Sequence, residues 1–369
     1  MKQTGVREVQ KDGAIPVHST IENVIWGRLP SQYDSPVCRI ASGDVISVET
    51  VSHEGIMEDQ GRDPLTWFAS RGVDPSAVPI DAVEIAASYK GRDIEADGPH
   101  VVTGPISVLG AEPGDILKIE FLELLPRAPF GVVSARHFRG ALAGEYPVGD
   151  NKTLGSFDLE EESVISVICH LDNKSGTISI NAREGEGKIS FPLAPFLGLI
   201  GVTPSGGQRL NSVPPGDFGG NMDVRNLVSG STLYLPVKVN EAGLFMGDPH
   251  YAQGHGEVAL TAVEAPLRAS MRVSIMESDN AVELLGHLSR PFAESDDYWY
   301  LLGMDRDLNE AMRSCVREAL RFMTEALAVP KEESYAYLSA AGDFVVTQVV
   351  DDVKGVHCLI RKKDFSAWV

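Results

Sequence analysis

Four acid–base side chains fall within one short glycine-rich stretch, residues 243–257 (GLFMGDPHYAQGHGE): Asp248, His250, His255 and Glu257. Carboxylate oxygen and imidazole nitrogen together suit Zn²⁺ and similar divalent ions, and the same groups move protons. Gly243, Gly247, Gly254 and Gly256 let the backbone turn sharply enough to bring such groups together. The plain alternative is a solvated loop whose polar residues only make turns. A second stretch, from Val202 through Pro214, Pro215 and Gly216 to Asp223, sets Asn221 and Asp223 among small residues and prolines. It reads equally as a rigid corner or as a loop delivering both residues to a site. A third, Glu49–Gly55, places His53 at the end of a strand pattern, where a satisfied structural histidine is the simpler reading.

Other chemistries find less support. Ser205 precedes Gly206 and Gly207, but there is no G-x-S-x-G elbow. The serine-rich glycine run of the amidase-signature enzymes is absent, and no cysteine has the setting of a nitrilase-type thiol. His137 has nothing nearby in sequence to complete a triad. Cys38, Cys169, Cys315 and Cys358 form no C-x-x-C pair and read as free thiols of a reducing cytosol.

The elements that would position these groups are mostly strands. Residues 44–51 alternate apolar and polar, as a half-buried strand does. The runs 106–110 and 116–121 flank a turn at Glu112-Pro113-Gly114-Asp115, whose Pro–Gly centre favours type II. Further strands are expected at 163–169, 177–181, 231–239, 257–264 and 271–276. Short strands at this spacing suggest a sandwich or barrel. After about Ser289 the pattern changes. Leu308, Ala311, Met312, Cys315, Val316, Ala319, Leu320, Met323 and Leu327 form a helical stripe. Asp305 or Asp307 can cap its start and Pro330 stop it. A second helix fits 332–341, followed by strand-like runs at 344–350 and 356–360. The expected division is a β-rich catalytic core of one or two β subdomains, residues 1–289, and a C-terminal α+β part, residues 290–369.

Composition narrows the partners. The 369-residue, 39.8 kDa chain has 32 Lys and Arg against 52 Asp and Glu, a net charge of −20. Such a surface repels phosphate backbones and anionic lipids. Nucleic acid and membranes are therefore not expected partners, and a small neutral or cationic substrate suits the field better. The 36 glycines and 22 prolines favour a turn-rich, strand-dominated architecture. The segment Met1–Glu8 has no apolar core of a secretory signal. The longest apolar stretch, residues 191–203, is too short for a bilayer and is broken by Pro192 and Pro195. A cytoplasmic protein is expected, with an even-numbered homo-oligomer as the general prior.

The motifs together resemble the acetamidase/formamidase family. The similar stretches are residues 103–115 (TGPISVLGAEPGD), 198–204 (GLIGVTP), 219–223 (GGNMD), 233–237 (LYLPV), 247–250 (GDPH) and 253–257 (QGHGE), in the family's order. The resemblance implies a mainly β fold with a jelly-roll-like sandwich or barrel core and a small C-terminal α+β part. It also implies an amidohydrolase that cleaves the C–N bond of a small amide to a carboxylate and ammonia. The chain departs from the family pattern in carrying His255 where Asp is common and His53 where Asp often stands.

That reaction needs activated water, a stabilised oxyanion and a proton for the leaving amine. A divalent metal, zinc first, would supply the first two. For this role His250 and Asp223 are the leading ligands, with Asp248 and His53 behind them. Glu257 is the expected proton shuttle, His255 an assistant or substrate contact, and Asn221 a donor to the carbonyl oxygen. A cyclic amide, such as a lactam or imide, or a larger amide is the alternative substrate. A non-catalytic small-molecule-binding jelly-roll protein is the alternative from outside enzymes.

Overall fold

The computed structural model describes residues 13–147, 164–181 and 187–366; the segment Met1–Glu8 and the first residue of the strand expected at 163–169 lie outside them. The protein is mainly β. A nine-stranded sheet takes the strands in the spatial order Ile15–Val17, Val45–Glu49, Leu267–Met276, Ile116–Pro126, Thr232–Pro236, Phe292–Glu294, Tyr298–Asp305, Lys354–Arg361 and Asp343–Gln348. A six-stranded sheet holds Gly219–Asn221, Phe196–Val202, Leu244–His250, Val101–Val108 and Val24–Trp26 in that order, with Cys38–Ile40 pairing alongside Val101–Val108. A four-stranded sheet runs Lys188–Pro192, Thr177–Asn181, Val164–Asp172 and Phe130–Arg136.

The main core fills the space between the first two sheets. Ile46, Val48, Leu117, Ile119, Leu233 and Met271 from the nine-stranded sheet pack with Val102, Ile106, Leu197, Leu199, Leu244 and Met246 from the six-stranded one. Strand Leu267–Met276 alternates buried and exposed over most of its length, as a sheet with one face in water requires. Strands Val101–Val108, Phe196–Val202 and Leu244–His250 are buried at every residue. The six-stranded sheet is thus covered on both faces, and any polar residue it carries is drawn inside.

The turn at Glu112–Asp115 forms as expected, with Asp115 N donating to Glu112 O at 3.1 Å and Gly114 at φ +105°. It carries the chain from the six-stranded to the nine-stranded sheet rather than closing a hairpin.

The longest helix is Leu308–Glu325, within the expected range, and Asp307 caps it by accepting from Asn309 N and Glu310 N. Its buried stripe of Ala311, Cys315, Ala319, Phe322 and Met323 lies on the C-terminal strands. The approach is close because Gly303 has no side chain: a Cβ there would stand 2.2 Å from Ala311 O. The second helix is Lys331–Ala341, and the two strands after it pair antiparallel. Strands Tyr298–Asp305 and Lys354–Arg361 join the nine-stranded sheet through Phe292–Glu294, so the C-terminal residues extend the same sheet.

Two expectations need correction. The run 257–264 is not a strand. Its alternating Val258, Leu260 and Ala262 imitate one, but Glu257 (φ +46°) and Leu260 (φ +107°) turn the backbone into the left-handed region. Conversely, residues 244–250 of the glycine-rich stretch are a buried strand and not a solvated loop. Short helices at Pro64–Ala69, Ile80–Ser88 and Ser278–Leu285 were not among the elements expected.

Candidate active site

Strand Leu244–His250 carries Asp248 and His250 into the interior. Opposite it in the antiparallel pairing lies Gly198, between the partners Leu197–Pro249 and Leu199–Gly247. A Cβ at Gly198 would meet Asp223 Oδ1 at 2.4 Å, Asp248 Oδ2 at 2.7 Å and His250 Cε1 at 2.7 Å. The glycine makes a cradle in which three site residues meet. Asp223 enters it from the neighbouring strand end Gly219–Asn221, its N–H donating to Gly198 O at 3.0 Å.

Other segments close around this centre. The loop after strand Val45–Glu49 brings His53, and the residue before strand Val101–Val108 is His100. The loop after His250 brings Glu257 and Glu264; the latter pairs back across His250 and Val132 by isolated bridges. The turn between the last two strands brings Asp351. That turn is tied to the Glu257 loop, since Gly256 N donates to Thr347 O and Val349 N donates to Gly256 O. The C-terminal residues therefore help build the site.

Distances are short throughout. His250 Nε2 lies 3.0 Å from Asp248 Oδ2 and 2.9 Å from Glu264 Oε1. His53 Nδ1 lies 3.5 Å from Asp248 Oδ1 and 3.8 Å from Glu264 Oε2. His100 Nε2 is 3.8 Å from Asp248 Oδ1, and His250 Nδ1 is 3.9 Å from Asp223 Oδ1. Three sets of potential ligand atoms lie close together: His53–His100–Asp248, Asp223–His250–Glu257, and Asp248–His250–Glu264. All of these residues are buried.

Many of their polar atoms make no hydrogen bond among the described residues: His53 Nδ1, Asp248 Oδ1, both nitrogens of His250, both oxygens of Asp223, Glu257 Oε2 and Glu264 Oε2. Leaving a buried polar group unpaired costs about 1–3 kcal/mol, and more for a charged one. Nitrogen and oxygen atoms that stand about 3–4 Å apart without a hydrogen bond between them are spaced as the ligands of a metal ion are, and three such sets occur here. The hard oxygen and imidazole donor set fits a divalent ion of the zinc kind. Asp223, Asp248 and Glu257 are also three of the few non-glycine residues at positive φ, at +55°, +47° and +46°. Backbone strain of this kind clusters at functional sites.

The electrostatics are divided. Burial, and then Asp351 and Asp248, push the Asp223 carboxyl well up. Burial followed by Asp223 does the same to Glu257, and burial followed by Glu257 to Asp351. Burial opposes the Asp248 charge too, yet His250 and His100 hold that carboxyl well below its usual range. Burial drives His100 down to about 4.

A cleft of about 820 Å³ opens onto the centre. His53, His100, Asn221, Asp248, Glu257 and Glu264 line its floor, while His250 and Asp223 lie behind them. Of the residues singled out in the sequence, His53, Asn221, Asp223, Asp248, His250 and Glu257 are brought together here. His255 is not. It is exposed, its ring 5.2 Å from that of His357, and it does not line the cleft. His100, Glu264 and Asp351 were missed. His100 and Glu264 are each a lone polar residue beside an apolar run, and that contrast is the signal that marks them; Asp351, next to Asp352, carries no such contrast. Glu54, next to His53, is satisfied by Ser134 Oγ at 2.6 Å and Arg136 Nη1 at 2.9 Å and holds the loop in place.

The fold and site define a layered β protein with a buried acid–histidine centre at the base of a cleft. Residues 206–358 match the model of the Acetamidase/Formamidase family, the family that the motifs resemble. The chain is 28% identical over 223 residues to a formamidase of Methylophilus methylotrophus, covering 50% of this chain and 54% of that protein. It is 29% identical over 206 residues to an acetamidase of Mycolicibacterium smegmatis, covering 45% and 51%. These matches span about half the length of those relatives. The fold is that of a crystallised acetamidase from Bacillus halodurans, with a TM-score of 0.71, 24% identity, and 96% and 99% of the two chains covered.

Proposed function

We propose that this chain is an amidohydrolase that cleaves the C–N bond of an amide to a carboxylate and ammonia. The observation that carries the reading is the buried set of unpartnered histidine and carboxylate atoms at the floor of an open cleft. The relatives named formamidase and acetamidase supply the reaction class.

A divalent ion, zinc first, held by groups drawn from His53, His100, Asp248, His250 and Glu264, would polarise the carbonyl and lower the pKa of a water. Asp223 stands beyond His250, beside Glu257 and Asp351, and belongs with the proton-holding groups. Glu257 takes the proton from water and delivers it to the leaving amine. Burial and the Asp223 carboxylate raise its proton affinity, so it can hold that proton near neutral pH. Asn221, on the cleft floor, donates to the carbonyl oxygen as negative charge develops there. A C–O bond forms, the C–N bond breaks, and the products are a carboxylate and ammonium. His255 stands outside this scheme.

The cleft is far roomier than the smallest amides require, which favours a larger or cyclic amide such as a lactam or imide. The test is ammonia release from a panel running from formamide to lactams and imides, with product carboxylate measured in parallel. Ring opening of a lactam or imide without ammonia would point to the cyclic reading. No turnover of any member, with a ligand recovered from the pure protein, would favour a binding protein.

A further inference from the structure

Asp248 and Glu264 each set their two oxygens toward different histidines. Asp248 turns Oδ1 to His53 (3.5 Å) and His100 (3.8 Å) and Oδ2 to His250 (3.0 Å). Glu264 turns Oε1 to His250 (2.9 Å) and Oε2 to His53 (3.8 Å). We infer that the centre holds two divalent ions side by side, bridged by Asp248 and Glu264, one on the His53–His100 side and one on the His250 side.

The inference rests on the metal reading above and goes beyond it in number and arrangement. Ligands about 2.0–2.2 Å from a tetrahedral zinc are about 3.3–3.6 Å from one another. The spacings to His53 and His100, 3.5 and 3.8 Å, lie within and just above that range, and those to His250, 2.9 and 3.0 Å, lie a few tenths of an ångström below it, so the His250 side need open only slightly to seat its ion. A carboxylate whose two oxygens serve two ions sets them at the roughly 3.5–4 Å separation of two-metal sites. The histidines are oriented for the task. His100 Nδ1 lies 3.0 Å from Ser212 Oγ, and a proton on that nitrogen leaves Nε2 free to face Asp248.

The composition of the cluster also favours bound cations. Asp223, Asp248, Glu257, Glu264 and Asp351 are five buried carboxylates in one cluster. Among the described residues no Lys or Arg forms an ion pair with any of them, and nearby Arg136 is committed to Glu54 and Asp59. Buried charge without compensation is costly, so cations must stand in for the absent Lys and Arg wherever these carboxylates are ionised.

The test is zinc content of the full chain, stripped with chelator, reloaded with Zn²⁺ and dialysed, then measured by mass spectrometry of the metal. Two zinc ions per chain are expected, falling to one in His100→Ala. One ion in the unmodified chain would overturn the two-ion centre while leaving a metal-dependent amidase intact. None would overturn the metal reading as well. Should His100→Ala fail to fold, Co²⁺ loaded into the unmodified chain decides the point. Bridged cobalt pairs give a spin-coupled, attenuated paramagnetic resonance signal at full loading. A full-intensity signal from isolated ions would contradict the bridge.

Discussion

Gly198 lies directly across the sheet from Asp248, and the space its missing side chain leaves is the space in which Asp223, Asp248 and His250 meet. Its backbone angles are ones any residue can adopt, so the demand is for room alone. A methyl there would press on Asp223 Oδ1 at 2.4 Å and Asp248 Oδ2 at 2.7 Å, the first held by its backbone bond to Gly198 O and the second by its strand. Gly198→Ala should fold with a loss of about 1–3 kcal/mol, typical of overpacking. It should also lose bound zinc and at least about a hundred-fold in kcat/KM, as a misplaced centre does. Metal analysis alongside urea unfolding checks it; full metal content and activity would show the cradle to be idle.

Glu257→Gln keeps size and hydrogen bonding but removes the basic oxygen. The variant should fold, retain its metal and lose about 10²–10⁴-fold in kcat with little change in KM. A parallel fall in metal content would make Glu257 a ligand instead. A change of only a few-fold would remove it from the reaction.

Glu54 depends on Arg136, its cation at 2.9 Å, in a place where the carboxylate has no exposed surface. Arg136→Ala would leave that charge buried and unpaired, a change that costs about 3–5 kcal/mol. Adding Glu54→Gln to the same chain should recover part of the loss. Equilibrium unfolding of the single and double variants measures both, and an unchanged midpoint in Arg136→Ala would contradict the pairing.

His357 gives the pH dependence a definite sign. It is buried, with Nδ1 2.7 Å from Thr347 Oγ1, and burial, then His255 and Arg225, lowers it to about 3. In the unfolded chain it titrates near 6.5. Above pH 6.5 both states are neutral and nothing is lost. Below it the unfolded chain gains a proton that the folded chain refuses, so stability falls as pH drops from 6.5 toward 3. By pH 5 the loss from this residue is about 2 kcal/mol. His357→Gln should flatten that part of the stability–pH curve; an identical slope in the variant would disprove it.

Much of this was legible in the residues. Polar groups massed among glycines marked Asp248 and His250, because so many chemical side chains in one short stretch are hard to explain as a turn. The stripe from Leu308 to Leu327 gave the longest helix because its apolar spacing matches 3.6 residues per turn. Glu264 escaped because it is single: within TAVEAPL its meaning lies in contact with His250, which sequence distance hides. Asp351 comes from the far end of the chain and reaches the site only through the pairing of its turn with Gly256. His255 drew notice by its neighbours, but the positive φ of Gly256 and Glu257 turns the chain so that only Glu257 faces inward. Helix Pro64–Ala69 did carry its signals, an Asp63 cap and a first-turn proline, in a segment too short to show a period.

The account stands most directly on one measurement: ammonia and carboxylate released from amides by the full chain, before and after its metal is removed. It predicts equal amounts of the two products, loss of turnover on exhaustive chelation, and recovery when Zn²⁺ is returned. Undiminished turnover by protein shown to be metal-free would contradict it.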